Sequence, residues 1–232
     1  MRNVLVLLLA IVWSLLAATA GAQTACVPGD RPINPDYERD SLAEWPQEAQ
    51  RFKSHEQLVS RRRDRLRLAL DGGKSIELVD CPYGDDAYHY LYERYDQAGR
   101  FYVVRKSAHD DFSYALVMMP TGQVFTVYGA PVWAFEKSKF LTIACSLQPP
   151  RGTVLIQAPA GDGLATEAEF PLPCDTESCS ARWDHQSWIS VTCTPRDAGG
   201  KKGTEFVLIR GSDVNGIYQS RPAALRGATC HE

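Results

Sequence analysis

Apolar and polar positions alternate along most of this chain. Leu66, Leu68 and Leu70 alternate with Arg65, Arg67 and Ala69, reach Asp71-Gly72-Gly73, and return through Ile76 and Leu78. Alternation closed by a Gly-rich turn is the pattern of a β-hairpin. Tyr88 to Tyr95 and Phe101 to Lys106 flank Asp96-Gln97-Ala98-Gly99, and Tyr114 to Met119 and Gln123 to Gly129 flank Pro120-Thr121-Gly122. Further short strands are expected at Phe140–Cys145, Val154–Ala158, Thr166–Phe170, Trp188–Thr194, Glu205–Arg210 and Asn215–Gln219. Period three to four appears in one place. Trp45, Ala49 and Phe52 stand at i, i+4 and i+7, after Ser41 and Glu44 in a capping-box spacing, and predict a helix over residues 41–62. Residues 23–40, rich in Pro, Asp and Arg, read as an extended arm, and residues 63–232 as one β-repeat domain.

The strands repeat in groups. Pro131-Val132-Trp133, Phe140 to Cys145 and Val154-Leu155-Ile156 form one series; Ala181-Arg182-Trp183, Trp188 to Cys193 and Val207-Leu208-Ile209 form the next. A weaker copy covers Phe101–Val117, and a possible first one Leu66–Asp80. Several strands recurring at roughly 40–50 residues mark blade-like units, each burying its faces on its neighbours. The expected fold is all-β: antiparallel strands in about four blade-like units, either propeller-like or as open stacked sheets, with one N-terminal helix.

"GAPVWAFEKSKFLTIAC", followed by "RGTVLIQAP", resembles the blade motif of bacterial periplasmic propellers of the TolB and WD40-like group. That motif reads Pro-x-Trp/Phe-Ser-Pro-Asp-Gly-Lys, a strand, then Gly and a second strand. Ala134-Phe135-Glu136-Lys137 stands where the group has Ser-Pro-Asp-Gly, so the tight turn is altered here. The resemblance implies binding and assembly rather than catalysis and transfers no catalytic residue.

Composition adds location. Arg2, an apolar run over Val4–Ala18 and the small-residue site Ala20-Gly21-Ala22 make residues 1–22 a secretory signal peptide, too short in its apolar run for a membrane span. A periplasmic or secreted protein is expected, with Cys26 as an alternative acylation site. The formal charge of −3 gives no reason to expect nucleic acid. Arg61-Arg62-Arg63, with Arg65 and Arg67, is the basic cluster and reads as the solvated face of a strand. In an oxidising compartment Cys26, Cys81, Cys145, Cys174, Cys179, Cys193 and Cys230 are disulfide candidates. Seven is odd, so at least one is free, paired between chains or acylated. They lack zinc-ligand spacing, and neither metal nor cofactor is expected.

Three features carry candidate chemistry. Cys174 and Cys179 bracket Asp175-Thr176-Glu177-Ser178. A bridge between them closes a short ring, worth only ~2 kcal/mol by loop entropy but able to fix a rigid acidic docking loop. This Cys-x4-Cys loop is similar to that of proteinaceous lysozyme inhibitors, which carry a histidine where Glu177 stands. The competing readings are a stapled blade connection, or other pairings such as Cys145 with Cys193. Tyr88, Tyr90 and Tyr92 share one strand face and offer either sheet packing or an aromatic platform for a glycan. Asp85, Asp86, Glu93, His109 and Asp184 are the acid–base candidates of an envelope hydrolase acting on a glycan or peptide. The reading drawn from the sequence is a non-enzymatic binding protein that engages a protein partner, as an inhibitor or immunity protein against an envelope-acting hydrolase. The hydrolase and the glycan-binding module are the alternatives.

Overall fold

The computed structural model describes residues 26, 32–108, 111–144, 152–161, 163–171, 176–185, 188–195, 204–210 and 218–221. Side chains of Asp111 and of the last sheet outside 179–184 and 189–192 are not among those described. The described residues form four antiparallel sheets and one α-helix. Helix α1 spans Pro35–Phe52. Sheet I contains β1 (Val59–Arg62), β2 (Arg65–Ala69) and β3 (Ser75–Val79). Sheet II contains β4 (Tyr88–Asp96), β5 (Phe101–Ala108), β6 (Asp111–Met118) and β7 (Val124–Val127). Sheet III contains β8 (Val132–Trp133), β9 (Phe140–Ala144), β10 (Thr153–Ala160) and β11 (Gly163–Pro171). Sheet IV contains β12 (Thr176–His185), β13 (Trp188–Pro195), β14 (Thr204–Arg210) and β15 (Tyr218–Arg221). Every sheet is a meander in which consecutive strands pair. Sheets II, III and IV open at Tyr88, Val132 and Thr176, an even spacing within the expected repeat.

Turn chemistry sets the hairpins. Between β2 and β3, Gly72 and Gly73 take φ of 71° and 76°, a region open to glycine without a Cβ clash. Between β4 and β5, Asp96 Oδ1 accepts a 3.0 Å bond from the Gly99 amide. Gly129, on the connection from sheet II to sheet III, allows the backbone to lie against Ile143; a Cβ there would come within 2.5 Å of the Ile143 carbonyl oxygen.

The sheets stack face to face, and three apolar layers lie between them. Leu66, Leu68 and Leu78 of sheet I meet Tyr90, Tyr92, Tyr102, Val104, Ala115 and Val117 of sheet II. Phe101, Val103, Leu116 and Met118, on the other face of sheet II, meet Phe140 and Leu164 of sheet III. Leu141, Val154 and Ile156 then meet Trp183, Ile189 and Val191 of sheet IV. This explains the unbroken apolar runs Phe101-Tyr102-Val103-Val104 and Ala115-Leu116-Val117-Met118. Successive side chains of a strand point to opposite faces, and here both faces are buried. Among the described residues the sheets do not close into a barrel, and they form an open stack of blade-like units.

Two expected boundaries move. The helix begins at Pro35 rather than Ser41, because the Asn34 side chain accepts from the Asp36 amide and Pro35 takes the first-turn position where no amide is needed. Ser41 is therefore inside the helix, where its hydroxyl donates to the Glu38 carbonyl at 3.2 Å, and it caps nothing. The helix ends at Phe52, and Val59–Arg62, expected as its continuation, form β1.

Candidate functional site

The densest set of polar contacts lies where α1 crosses the outer edge of β4. As the first strand of sheet II, β4 pairs with β5 on one side only. Its other edge presents the amides and carbonyls of alternate residues, and buried backbone groups need partners. Side chains supply them. The Tyr90 amide donates to Asp80 Oδ1 at 2.8 Å, and the Tyr92 amide donates to Glu48 Oε1 at 2.6 Å. The Tyr90 carbonyl accepts from Arg61 Nη2, and the Tyr92 carbonyl accepts from Arg51 Nη1 at 3.3 Å. One step toward the strand start, Cys81 and Tyr88 exchange backbone bonds of 2.8 Å in each direction.

Arg61 joins the two carboxylates. Its Nε donates to Glu48 Oε2 at 2.5 Å, its Nη2 to Glu48 Oε1 at 3.2 Å and its Nη1 to Asp80 Oδ2 at 3.0 Å. The guanidinium also lies over the Trp45 ring, 5.7 Å from its centroid. Glu48 and Asp80 are fully enclosed. Burial works against the Arg61 charge, yet the bonds to Glu48 and Asp80 hold its pKa above the ordinary value. Burial pushes Asp80 up to about 7, outweighing the Arg61 charge and the Tyr90 amide bond. One guanidinium facing two buried carboxylates leaves an excess negative charge, so a proton is retained on Asp80 more readily than in water. The Tyr37 hydroxyl donates to Asp80 Oδ2 at 3.4 Å, and burial together with that carboxylate raises the phenol pKa.

A second set continues along β4. His89 Nε2 lies 2.7 Å from Glu44 Oε2, and Arg105 Nη2 donates to Glu44 Oε1 at 2.6 Å. Glu93 pairs with Arg51 at 3.0 Å. Glu93 is the extra residue at a bulge, since Tyr92 and Arg94 oppose Val104 and Val103 in turn. A shallow cleft beside this cluster is lined by Asp36, Tyr37, Asp40 and His89. Cys26 is bonded to Cys81, with Cα atoms 5.3 Å apart, which ties the segment before α1 to the start of the β4 edge.

The sequence candidates fall as follows. The rings of Tyr90 and Tyr92 are 7% and 0% exposed, packed among Leu66, Leu68 and Leu78. They are core, and the aromatic-platform assignment of Tyr90 and Tyr92 is corrected accordingly. Tyr88 is partly covered and carries Lys106 Nζ 3.9 Å above its ring. Burial pushes the Tyr92 phenol up to about 12. Asp85 and Asp86 are exposed in the turn before β4, while Asp184 is on sheet IV, where it accepts from Ser190 and from Arg182 at 2.7 Å. Those bonds lower the Asp184 pKa. Glu93 is committed to Arg51, so the described acid–base candidates do not meet in one cleft. Thr176, Glu177 and Ser178 open β12 as strand residues rather than a free loop, with Ser178 opposite Thr194. Cys179 is disulfide-bonded and stands opposite Cys193 in the β12–β13 register. His109, Cys145, Cys174, Asp175 and Cys230 lie outside the described residues. Among the described residues no group of three or more His, Cys, Asp or Glu is arranged to hold a metal, and no helix is long and apolar enough to cross a membrane.

The basic cluster divides. Arg65 and Arg67 are exposed as expected, but Arg61 is enclosed at the centre of the β4 clamp. Glu48, Asp80 and Arg61 are far apart in the chain, and no period connects them. No family model, curated protein or solved structure matches the chain.

Proposed function

We infer that this is a secreted or periplasmic binding protein, not an enzyme, which engages a protein partner and serves as an inhibitor or immunity factor against an envelope-acting hydrolase. One observation carries the reading. The described ionisable residues that do cluster, Arg61, Glu48, Asp80, Glu44, His89, Arg105 and Glu93, are consumed in bonds to one another and to the β4 backbone. They act as structural closure, and the surface left for recognition consists of hairpin corners and outer strands. Phe135, for example, sits 67% exposed on the β8–β9 hairpin, a corner closed by a Lys137 amide bond to the Ala134 carbonyl at 2.9 Å. Export is supported by the N-terminal sequence pattern and by the Cys26–Cys81 bond, which belongs to an oxidising compartment and occupies the sulfur that acylation would need.

The test is affinity capture from envelope extract with the tagged full chain, with binding of the captured protein then measured between purified components. Wild type is compared with Glu177→Ala and with a Cys174→Ser/Cys179→Ser pair. A hydrolase partner whose activity falls on addition of the wild-type protein supports the reading, and weaker inhibition by the two variants assigns the Cys174–Cys179 segment to it. Hydrolysis of glycan or peptide by the purified protein itself sinks the non-enzymatic reading.

A further inference from the structure

Sheet I is the first of the stack, and its two faces differ. Val59, Leu66, Leu68 and Leu78 point into the apolar layer shared with sheet II. On the opposite face Arg62 of β1 stands directly across from Arg65 of β2, and Arg67 lies between Ser60 of β1 and Glu77 of β3. These side chains are exposed, and so is Arg63 in the two-residue turn between β1 and β2. Among the described residues Glu77 alone forms an ion pair with this set, 3.1 Å from Arg65, and both side chains of that pair are half-exposed. The whole chain has a formal charge of −3, so this face carries the sign opposite to that of the molecule.

Folding alone does not call for this arrangement. Like charges directly across a strand pair are unfavourable, which describes Arg62 and Arg65. Arg63 has φ of 55°, in the left-handed region that glycine enters without a Cβ clash. The turn is nevertheless anchored. The Arg63 carbonyl accepts from Arg61 Nη1 at 3.3 Å, and the Asp64 carbonyl accepts from the Asp80 amide at 2.8 Å. The arginines therefore project from backbone that is already ordered, and docking on them costs little backbone entropy.

The chemistry of the face selects its occupant. Guanidinium groups bind carboxylates and phosphates through paired donors. Arg65 and Arg67 are two residues apart on one strand, ~7 Å, which is also the spacing of alternate side chains in an extended acidic segment. Glu77 interrupts the basic field opposite Arg67, which disfavours a continuous phosphate surface and suits discrete carboxylates. The exposed large apolar side chains among the described residues all lie outside sheet I, so none is available there to enter lipid or to stack on a sugar or base.

We propose that the outer face of sheet I, through Arg62, Arg63, Arg65 and Arg67, docks an extended acidic segment of a protein partner with carboxylates at alternate residues. This rests on the protein-binding reading above and names a contact surface and the chemistry of its partner.

The probe is a fluorescently labelled peptide, Glu-Ser-Glu-Ser-Glu-Ser-Glu with blocked ends, added to the purified full chain at low salt. Controls are the Lys-Ser counterpart, a block peptide of the same Glu and Ser content, inorganic polyphosphate and vesicles of anionic phospholipid. Anisotropy reads affinity, and NMR of the arginine Nε–H groups locates the contact. The expected result is saturable binding of the alternating Glu peptide, tighter than that of the block peptide, with shifts confined to Arg62, Arg63, Arg65 and Arg67. Arg62→Gln/Arg65→Gln weakens it about tenfold, whereas Lys137→Gln, exposed on the β8–β9 hairpin, leaves it unchanged. Arg63→Gly also weakens it without lowering the urea midpoint, because glycine takes the φ of that turn freely, and this separates docking from folding. Absent binding, equal binding of the Lys-Ser or block peptide, or an affinity that survives both arginine variants overturns the proposal. Binding of polyphosphate or vesicles without binding of the Glu peptide overturns it in favour of a phosphate-bearing surface. A captured hydrolase whose inhibition is unchanged by Arg62→Gln/Arg65→Gln also overturns it, while leaving the protein-binding reading intact. Intrinsic hydrolase activity would sink that reading without touching acidic docking on sheet I.

Discussion

β4 and β11 are both nine-residue strands at the margin of a four-stranded sheet, and the chain treats their free sides in opposite ways. Along β4, Asp80 and Glu48 accept the Tyr90 and Tyr92 amides, while Arg61 and Arg51 donate to the carbonyls of the same residues. Four side chains reproduce what a neighbouring strand would do. Three of them, Asp80, Glu48 and Arg61, are ionisable groups buried at the edge, and both carboxylates are gathered around the one Arg61 cation. Along β11 there is no such set among the described residues, and exposed Glu167 and Glu169 stand in its place. A side-chain clamp removes an edge from circulation, whereas exposed like charges oppose pairing with a second copy. The difference teaches that closing an edge from one side requires a covering element, here α1, while guarding an edge requires two residues on the strand itself.

The largest effect should come from breaking the clamp at its centre. Arg61→Ala leaves Glu48 and Asp80 buried without their cation, a loss of about 3–5 kcal/mol. Urea unfolding should show it as a lower midpoint. A loss below 1 kcal/mol would mean that the clamp is relaxed or hydrated in solution.

The same cluster predicts a pH dependence. Asp80 titrates at about 7 in the folded protein, above the ordinary carboxylate value of about 4. A raised acid binds its proton more tightly when folded. Its contribution is therefore present in full below about pH 4 and is lost as pH rises through about 7. The effect is on the order of a few kcal/mol across that window. Unfolding free energies from pH 4 to 8 should fall for the wild type relative to Asp80→Asn, which cannot ionise. A wild-type curve that rises relative to the variant would show that pairing with Arg61 outweighs burial.

The disulfide tests whether α1 is held by its ends as well as its middle. Cys26 and Cys81 are 55 residues apart, and opening so long a loop in the unfolded chain makes Cys26→Ser/Cys81→Ser cost about 2–4 kcal/mol. Hydrogen exchange sharpens the result. The Tyr90 and Tyr92 amides should stay protected in the wild type and exchange faster in the variant, with Val103 and Leu116 amides unaffected. Equal acceleration across sheet II would mean that the bond stabilises the whole fold rather than the β4 edge.

Sheet II shows how much of this was written in the sequence. Period-two alternation, the turn residues at Asp71–Gly73, Asp96–Gly99 and Pro120–Gly122, and the repeat placed the strands, because each of these is a local signal. Tyr90 and Tyr92 were readable as packing for the same reason: alternation assigns them one face, and Phe101–Val104 supplies a fully buried partner strand. The clamp was not readable. Arg61 shares its charge and its strand spacing with Arg65 and Arg67, and only the crossing of α1 over β4 separates a buried guanidinium from two solvated ones. The helix start was present but misread. Asn34-Pro35 is a cap followed by a first-turn proline, and the surrounding Pro and Asp residues gave it the look of an arm. The stacking of both faces of sheet II depends on contacts between sheets, which no local pattern reports.

The smallest effect completes the comparison. Glu167→Ala/Glu169→Ala on β11 removes two exposed carboxylates and, among the described residues, one salt bridge, that of the half-exposed Glu167 to the buried Lys139. The stability change should be about 1 kcal/mol, because the lysine loses a partner that is itself half-exposed. What should change instead is association. With the like charges gone, they no longer oppose antiparallel pairing with a second copy, and sedimentation at rising concentration should show dimers that the wild type lacks. A variant that stays monomeric and as stable as wild type would mean that β11 is shielded by something other than these two residues. A variant that unfolds would place Glu167 and Glu169 among the groups that build the sheet, alongside Glu48 and Asp80, and the contrast between a guarded edge and a clamped one would disappear.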